Sequence, residues 1–187
     1  GKPTLLPRMA PLGDVDDGDW EIASGDGTAL TLPPAIESAK REALLARLVA
    51  LYKNKQDQPV TLSAAQSLKL ARELASLLDE LAIDGVPFEK LQTLVEDNFA
   101  SHWQDTLHFL AIVGEHWPAI LADLGQIDAL DRRTRSIRLQ AERWREKPPA
   151  FQIIAAGSTG SQPATRELLS VIAGLPQGAV VLPGLDH

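Results

Sequence analysis

A short polar loop is the first place in this sequence where chemistry could occur. Residues 157–161 read Gly-Ser-Thr-Gly-Ser ahead of a predicted helix, and backbone N–H groups at a helix start suit an anion such as phosphate. A Walker A loop needs four residues between its glycines and then a lysine, whereas here two residues separate the glycines and residues 148–187 contain no lysine. A nucleophile elbow is excluded as well, because Thr159 stands where that motif has serine. The loop of unknown role comprises Ser158, Thr159, Gly160 and Ser161.

The residue types and their spacing do not favour metal binding or thiol chemistry. The chain has no cysteine, which excludes a disulfide framework, a thiolate zinc site and a cysteine nucleophile. Its four histidines lack the i, i+4 spacing of a helical zinc pair, and the acidic segment 14–21 lacks the glycine and glutamate positions of an EF-hand. We therefore expect no metal and no cofactor, and we expect His102 and His116 to be partly buried packing residues.

The strongest charge feature is a basic segment just before Pro148-Pro149. It contains seven of the 18 Lys+Arg of the chain, on a helix predicted over about 128–146. Two interpretations stay open: an ordinary solvated helix in which Glu142 and Glu146 form local pairs, or a surface that faces phosphate or a partner. The candidate DNA-binding residues are Arg132, Arg133, Arg135, Arg138, Arg143, Arg145 and Lys147.

Composition sets the broad class. With 187 residues, 44% of them hydrophobic and 23% charged, the chain is typical of a globular protein rather than a disordered or coiled-coil one. A net charge of −7 argues against a surface that binds nucleic acid throughout, although a local basic face remains possible. No apolar segment is long enough to span a membrane, so we expect a soluble protein of the cytoplasm.

Apolar residues recurring every three and four positions predict a series of helices. They cover about 35–53, a helix from an N-cap at Ser63 that ends before Asp84, a short helix from Pro87, about 101–124 with a bend at Pro118, and about 128–146. On these helices Trp103, Trp117 and Trp144 are expected to pack in the core.

The end of the chain has a β/α pattern. Residues 151–156 and 179–182 predict strands buried within a sheet, and residues 163–173 predict the helix between them. Such a unit is a right-handed crossover between parallel strands. Because two strands do not make a stable sheet, either residues 4–12 add an edge strand or most of the sheet lies outside this chain.

We therefore predict an α/β fold that is mainly α, in three parts. Residues 1–33 form an N-terminal edge strand and acidic loop, residues 34–147 a helical subdomain, and residues 148–187 a partial βαβ unit. The chain starts with Gly1-Lys2-Pro3 and its only methionine is Met9, so we expect an internal part of a longer protein.

Three sequence stretches carry a family resemblance. They are Ile153-Ile-Ala-Ala-Gly-Ser-Thr-Gly-Ser-Gln-Pro163, the helix to Ala173, and Leu175-Pro-Gln-Gly-Ala-Val-Val-Leu-Pro-Gly-Leu-Asp186. Together they resemble the AddB family, the B subunits of bacterial AddAB-type helicase–nucleases that process DNA double-strand breaks. The resemblance extends upstream through Leu5-Leu-Pro-Arg8 and Trp144-Arg-Glu-Lys-Pro-Pro149. It implies that the βαβ unit is part of a RecA-like, P-loop NTPase-type sheet of the superfamily-one helicase class.

The same resemblance implies a helicase module without ATP hydrolysis. Alignment on Pro163 puts Ala156 where an active helicase has the Mg²⁺-binding aspartate of Walker B, and Gly157 where it has the glutamate that orients water. Neither residue can perform those roles, and Leu185 departs from the third helicase motif. The implied function is scaffolding and DNA contact beside an AddA-like motor subunit, in recombinational repair by an ATP-dependent helicase and exonuclease complex. The alternatives are a protein-interaction module with a basic helix and a small nucleotide-binding domain.

Overall fold

The described part of the chain is mainly helical and contains a small parallel sheet. The computed structural model describes residues 9–12, 32–54, 62–87, 90 and 101–184. Their elements are α1 (Ser38–Asn54), α2 (Ala64–Asp84), α3 (Ser101–Asp123), α4 (Ala129–Glu146), β1 (Ile153–Ala156), α5 (Pro163–Gly174) and β2 (Gly178–Val181). They belong to two compact units, which we call the helical unit (Pro33–Arg132) and the mixed unit (Gly1–Leu32 with Arg133–His187).

Local signals in the sequence set the limits of α2. The Ser63 hydroxyl accepts a hydrogen bond from the Gln66 amide at 3.2 Å, and the Gln66 side chain accepts one from the Ser63 amide at 2.9 Å. This capping box satisfies two amides that have no partner within the helix. At the other end, Gly85 adopts a left-handed conformation with φ of 65°, which most side chains disfavour. The predicted N-cap at Ser63 is therefore confirmed.

The core of the helical unit lies among α1, α2 and α3. Leu45 and Val49 of α1 are buried against Ala71 and Leu74 of α2, and Val113 is contributed by α3. Trp117 is 2% exposed, which confirms its predicted place in the core. Because α3 continues through Pro118, the missing proline N–H removes one bond of the helical ladder without ending the helix.

The mixed unit contains the predicted crossover. β1 and β2 pair in parallel with Ile153 opposite Gly178 and Ala156 opposite Val181. Alternation along the strands puts Ile153, Ala155 and Val180 on one face, where they pack with α4 and α5. The apolar core there includes Ile137, Ala141, Ala164, Leu168, Leu169 and Ile172.

Three predictions about packing need correction. The strands were expected to be buried in a sheet, yet Ile154 is 59% exposed and Val181 56% exposed, because their side chains point away from α4 and α5. His116 is exposed rather than partly buried. The boundary expected at residue 147 lies instead between Arg132 and Arg133, since Ile137 and Ala141 of α4 pack in the mixed unit.

Several other predictions concern residues that the structure leaves undescribed. They are the edge strand before Met9, the acidic loop over 13–31, most of the short helix after Pro87, and Leu185. The side chains of His102, Trp103 and His108 are likewise outside the described set. Within the described residues, the helices are all too short or too polar to cross a bilayer.

Candidate nucleic-acid interface

Helix α4 holds the basic segment in a regular conformation. Its buried side chains are Ser136, Ile137, Gln140 and Ala141, which recur at three and four residues and therefore lie on one side. Asp131 in the first turn and Arg143 and Arg145 in the last turn complement the helix dipole. Part of the charge pattern of α4 thus serves helix stability.

The cations do not form one stripe along α4. Residues seven apart share a side of a helix, so Arg138 lies on the same side as Arg145. Arg132 and Arg143, eleven residues apart, share a different side. Arg135 lies on the outward side with Glu142 and Glu146, and all three are exposed. The outermost ridge is therefore mixed in charge, and the excess of positive charge lies along the two flanks.

Arg132, Arg133 and Arg145 each donate a hydrogen bond that holds the side chain in place. Arg132 Nε donates to the Pro33 carbonyl at 3.1 Å within the helical unit. Arg133 Nη2 donates to the Leu12 carbonyl at 2.8 Å, and Arg145 Nη2 bonds Glu167 Oε1 of α5 at 3.1 Å, both within the mixed unit. These arginines are therefore also structural residues.

The partners differ in what they do to the local charge. A backbone carbonyl is neutral, so the bonds to Pro33 and Leu12 do not offset the charges of Arg132 and Arg133, while Glu167 offsets that of Arg145. Arg145 is half exposed and its ion pair is screened by water, so the pair contributes little to stability. The segment 133–147 still carries six cations against Glu142 and Glu146. It can attract phosphate groups by charge.

The loop after β1 is held in a defined conformation by the chain itself. Gly157 and Gly160 have positive φ angles of 78° and 66°, which glycine adopts without strain. The Gly160 amide donates to Ser158 Oγ at 3.3 Å. Arg166 Nε donates to the Gly160 carbonyl at 3.1 Å, and its Nη2 donates to the Ser161 carbonyl at 3.2 Å. The Thr159 and Ser161 residues remain exposed on this ordered loop.

This geometry gives the loop little of what phosphoryl transfer needs. Ala156 ends β1 and Gly157 follows it, and neither residue has a carboxylate. The Gly157 amide is bonded to the Val181 carbonyl at 3.1 Å. Arg166 uses its guanidinium on two loop carbonyls. Among residues 148–184 the only charged side chains are Arg166 and Glu167. Ala156 and Gly157, at the end of β1, therefore supply neither an anionic metal ligand nor a catalytic base.

A partly buried polar cluster lies in the helical unit, and its side chains include none of the predicted site residues. Trp117 Nε1 donates to Asp128 Oδ2 at 2.8 Å, and Arg41 Nε lies 2.7 Å from Asp128 Oδ1 in poor hydrogen-bond geometry. Arg41 also pairs with Asp79 at 2.8 Å. Burial raises the pKa of Asp128, while the Trp117 hydrogen bond and the Arg41 charge act in the opposite direction. Each charge has an opposite neighbour, which is typical of a structural cluster.

The sequence did not predict the structural roles of Arg166 and Arg41. An arginine in the first turn of α5 is unfavourable for the helix dipole, and that anomaly was the available signal for Arg166. Arg41 and Asp128 are too far apart in sequence for any periodicity to connect them. Both assignments require the folded chain.

Comparisons with known proteins leave the family of this chain undecided. Within the described residues, the structure also contains no group of three or more potential metal ligands. The chain matches no protein-family model, no curated protein and no solved structure.

Proposed function

We propose that this chain is a non-catalytic region of an AddB-like subunit, acting in the processing of DNA double-strand breaks as scaffold and DNA contact. The observation that carries the proposal is the concentration of six cations over residues 133–147 in a chain of net charge −7. Positive charge on one ordered helix suits the phosphate backbone, whose neutralisation dominates nucleic-acid affinity. The cytoplasm and an AddA-like partner subunit belong to the same proposal.

The architecture of the mixed unit supports the finer part of this proposal. A parallel β1–α5–β2 crossover is the kind of unit that RecA-like sheets repeat. The sequence resemblance aligns Ala156 and Gly157 with the carboxylates of an active member. Further strands beside β1 and β2 would complete a sheet that two strands cannot stabilise. A helicase module of this kind has kept its architecture and lost hydrolysis.

Salt dependence is the direct test of the DNA contact. We expect duplex DNA to bind with an affinity that falls steeply with salt, with a slope of about −0.9 in the log–log plot for each phosphate contacted. Replacing Arg138 by Gln, or Lys147 by Gln, should make that slope shallower by about one contact each. The matched control is Lys69→Gln, which removes an exposed charge from α2 in the helical unit.

Titration of the variants with DNA, and of the unchanged chain with an acidic polypeptide, separates the DNA contact from the protein-interaction module. A slope that Arg138→Gln and Lys147→Gln leave unchanged would contradict the proposed interface. Binding of an acidic polypeptide in place of DNA would favour the protein-interaction module. Binding of this kind also depends on salt, so both ligands have to be titrated under the same conditions.

A separate measurement addresses the absence of ATP chemistry. We expect a phosphate-release assay with Mg-ATP to show no turnover, because Ala156 and Gly157 at the end of β1 have no carboxylate. We expect calorimetry with Mg-ATP to give no binding heat, because the loop after β1 lacks the lysine of a Walker A motif. Turnover that disappears in the double variant Ser158→Ala, Thr159→Ala would establish a nucleotide enzyme and overturn this part of the proposal.

A further inference from the structure

One aromatic ring lies exposed beside the cations of α4. Of the aromatic side chains that the structure describes, Tyr52, Phe109, Trp117 and Trp144 are buried or half-buried, whereas Phe151 is 46% exposed. Phe151 follows Lys147 by four residues, a distance of at most about 14 Å along the chain. An exposed aromatic next to a basic segment is the combination that single-stranded nucleic acids use.

The backbone around Phe151 is fixed on both sides by one residue. Gln177 Nε2 donates to the Ala150 carbonyl at 3.2 Å, and the Ile153 amide donates to the Gln177 carbonyl at 3.0 Å. Pro148 and Pro149 restrict the preceding backbone as well. The ring is therefore presented from an ordered segment, which lowers the entropy lost when a ligand stacks on it.

We propose that Phe151 is a stacking platform for an unpaired base of a nucleic-acid strand whose phosphates lie against Arg143 and Lys147. The inference depends on the proposed function, since it takes nucleic acid as the ligand of α4, and it adds single-stranded character to that ligand. A paired base inside a duplex is already stacked on its neighbours and cannot offer its face to Phe151. Every base has an aromatic face that can stack, so the contact carries little sequence preference.

The stretch of chain that contains Phe151 is uncharged, which suits a stacking contact. Residues 148–165 contain no charged side chain, so the ring has no neighbouring carboxylate in that stretch to repel phosphate. Arg143 and Arg145 lie in the last turn of α4, and Lys147 directly follows it. The base would therefore stack on Phe151 while the phosphates contact Arg143 and Lys147, all within a short stretch of chain.

The test compares four substitutions of Phe151 on two probes, a labelled single strand of about 15 nucleotides and the matching blunt duplex. We expect Phe151→Ala and Phe151→Leu to weaken single-strand binding by about fivefold or more, while Phe151→Tyr and Phe151→Trp keep it. Duplex binding should stay within about twofold for all four. The salt slope on the single strand should not change, because stacking releases no counterions.

Each other outcome has a distinct meaning. Full single-strand affinity in Phe151→Ala or Phe151→Leu would overturn the inference, because no aromatic face would then be needed. An equal loss on the duplex would overturn it as well, by indicating an effect on the fold, which circular dichroism would detect. If the unchanged chain binds neither probe, the proposed function fails and this inference fails with it.

Discussion

The two units of the chain differ in how completely each encloses its apolar surface. In the helical unit, Leu45, Val49 and Val113 are at most 1% exposed, and Trp117 joins them in the same cluster. In the mixed unit, one face of the sheet is covered by α4 and α5, while Ile154 and Val181 on the other face are more than half exposed. Parallel sheets normally have both faces covered. The helical unit is thus more complete on its own than the mixed unit.

Buried polar atoms without a hydrogen-bond partner occur in both units. In the helical unit, Asp128 accepts a hydrogen bond from Trp117, while Arg41 Nε and Asp128 Oδ1 have no hydrogen-bond partner and lie 2.7 Å apart as an ion pair. In the mixed unit, Gln140 Nε2 and Trp144 Nε1 are buried donors without an acceptor. A buried donor left without a partner costs about 1–3 kcal/mol. The contrast between the units therefore depends on packing and not on buried polar atoms.

The largest effect should come from opening a cavity in the helical core. Leu45 has no exposed surface, so Leu45→Ala should lower the free energy of unfolding by about 2–5 kcal/mol. The matched change in the mixed unit is Ile154→Ala, which removes a side chain that is 59% exposed and should cost less than about 1 kcal/mol. Urea unfolding followed by circular dichroism measures both. Equal losses would remove the contrast between the units.

The next effect concerns close packing at the start of β2. A methyl group at Gly178 would overlap the Ile172 carbonyl oxygen and lie 2.9 Å from Leu175 Cβ. Gly178→Ala should therefore destabilise the mixed unit by about 1–3 kcal/mol, because backbone atoms cannot move aside easily. Gly174→Ala is the control, since a methyl group there meets no atom within 4 Å. Thermal unfolding that shifts equally in both variants would contradict this packing.

A smaller effect is expected at the N-terminus of α2. Ser63→Ala removes the acceptor for the Gln66 amide and should lower stability by about 1 kcal/mol. Ser170→Ala, at an exposed position inside α5, is the control and should change stability by less than about 0.5 kcal/mol. Hydrogen exchange of the first-turn amides of α2 provides a local readout. Unchanged protection in Ser63→Ala would show that the cap contributes nothing.

How far the sequence predicts this molecule depends on the range of the interactions. Ser63 and Gln66 lie in one turn, so the capping box could be predicted from spacing alone, as could the crossover between β1 and β2. The exposure of Ile154 could not, because an apolar strand has the same sequence whether one or both faces are covered.

The candidate site shows the same limit. The sequence locates the cations of α4, but the bonds from Arg133 to Leu12 and from Arg145 to Glu167 depend on tertiary folding. They engage these two side chains within the mixed unit. The contacts of Arg166 with Gly160 and Ser161 are closer in sequence, yet no spacing rule assigns an arginine to loop carbonyls. Composition therefore predicts where the positive charge lies but not how it is used.

The smallest effect is expected from the ionisation of Asp128 in the helical unit, because the influences that raise and lower its pKa partly cancel. Burial raises its pKa above the ordinary aspartate value, whereas the Trp117 hydrogen bond and the Arg41 charge oppose that rise. A raised pKa means that the folded state holds the proton more tightly than the unfolded state. The contribution of Asp128 to stability is therefore full below the ordinary value and is lost as pH rises through the folded pKa.

Asparagine provides the comparison for this pH effect, since it does not titrate and still accepts a hydrogen bond from Trp117. We expect the stability of the unchanged protein, relative to Asp128→Asn, to increase as pH falls from about 7 toward about 4. The other carboxylates are common to both proteins, so their titration cancels in the difference. A difference that moves the other way would mean that Arg41 outweighs burial, and that the Arg41–Asp128 pair stabilises the helical unit as an ion pair.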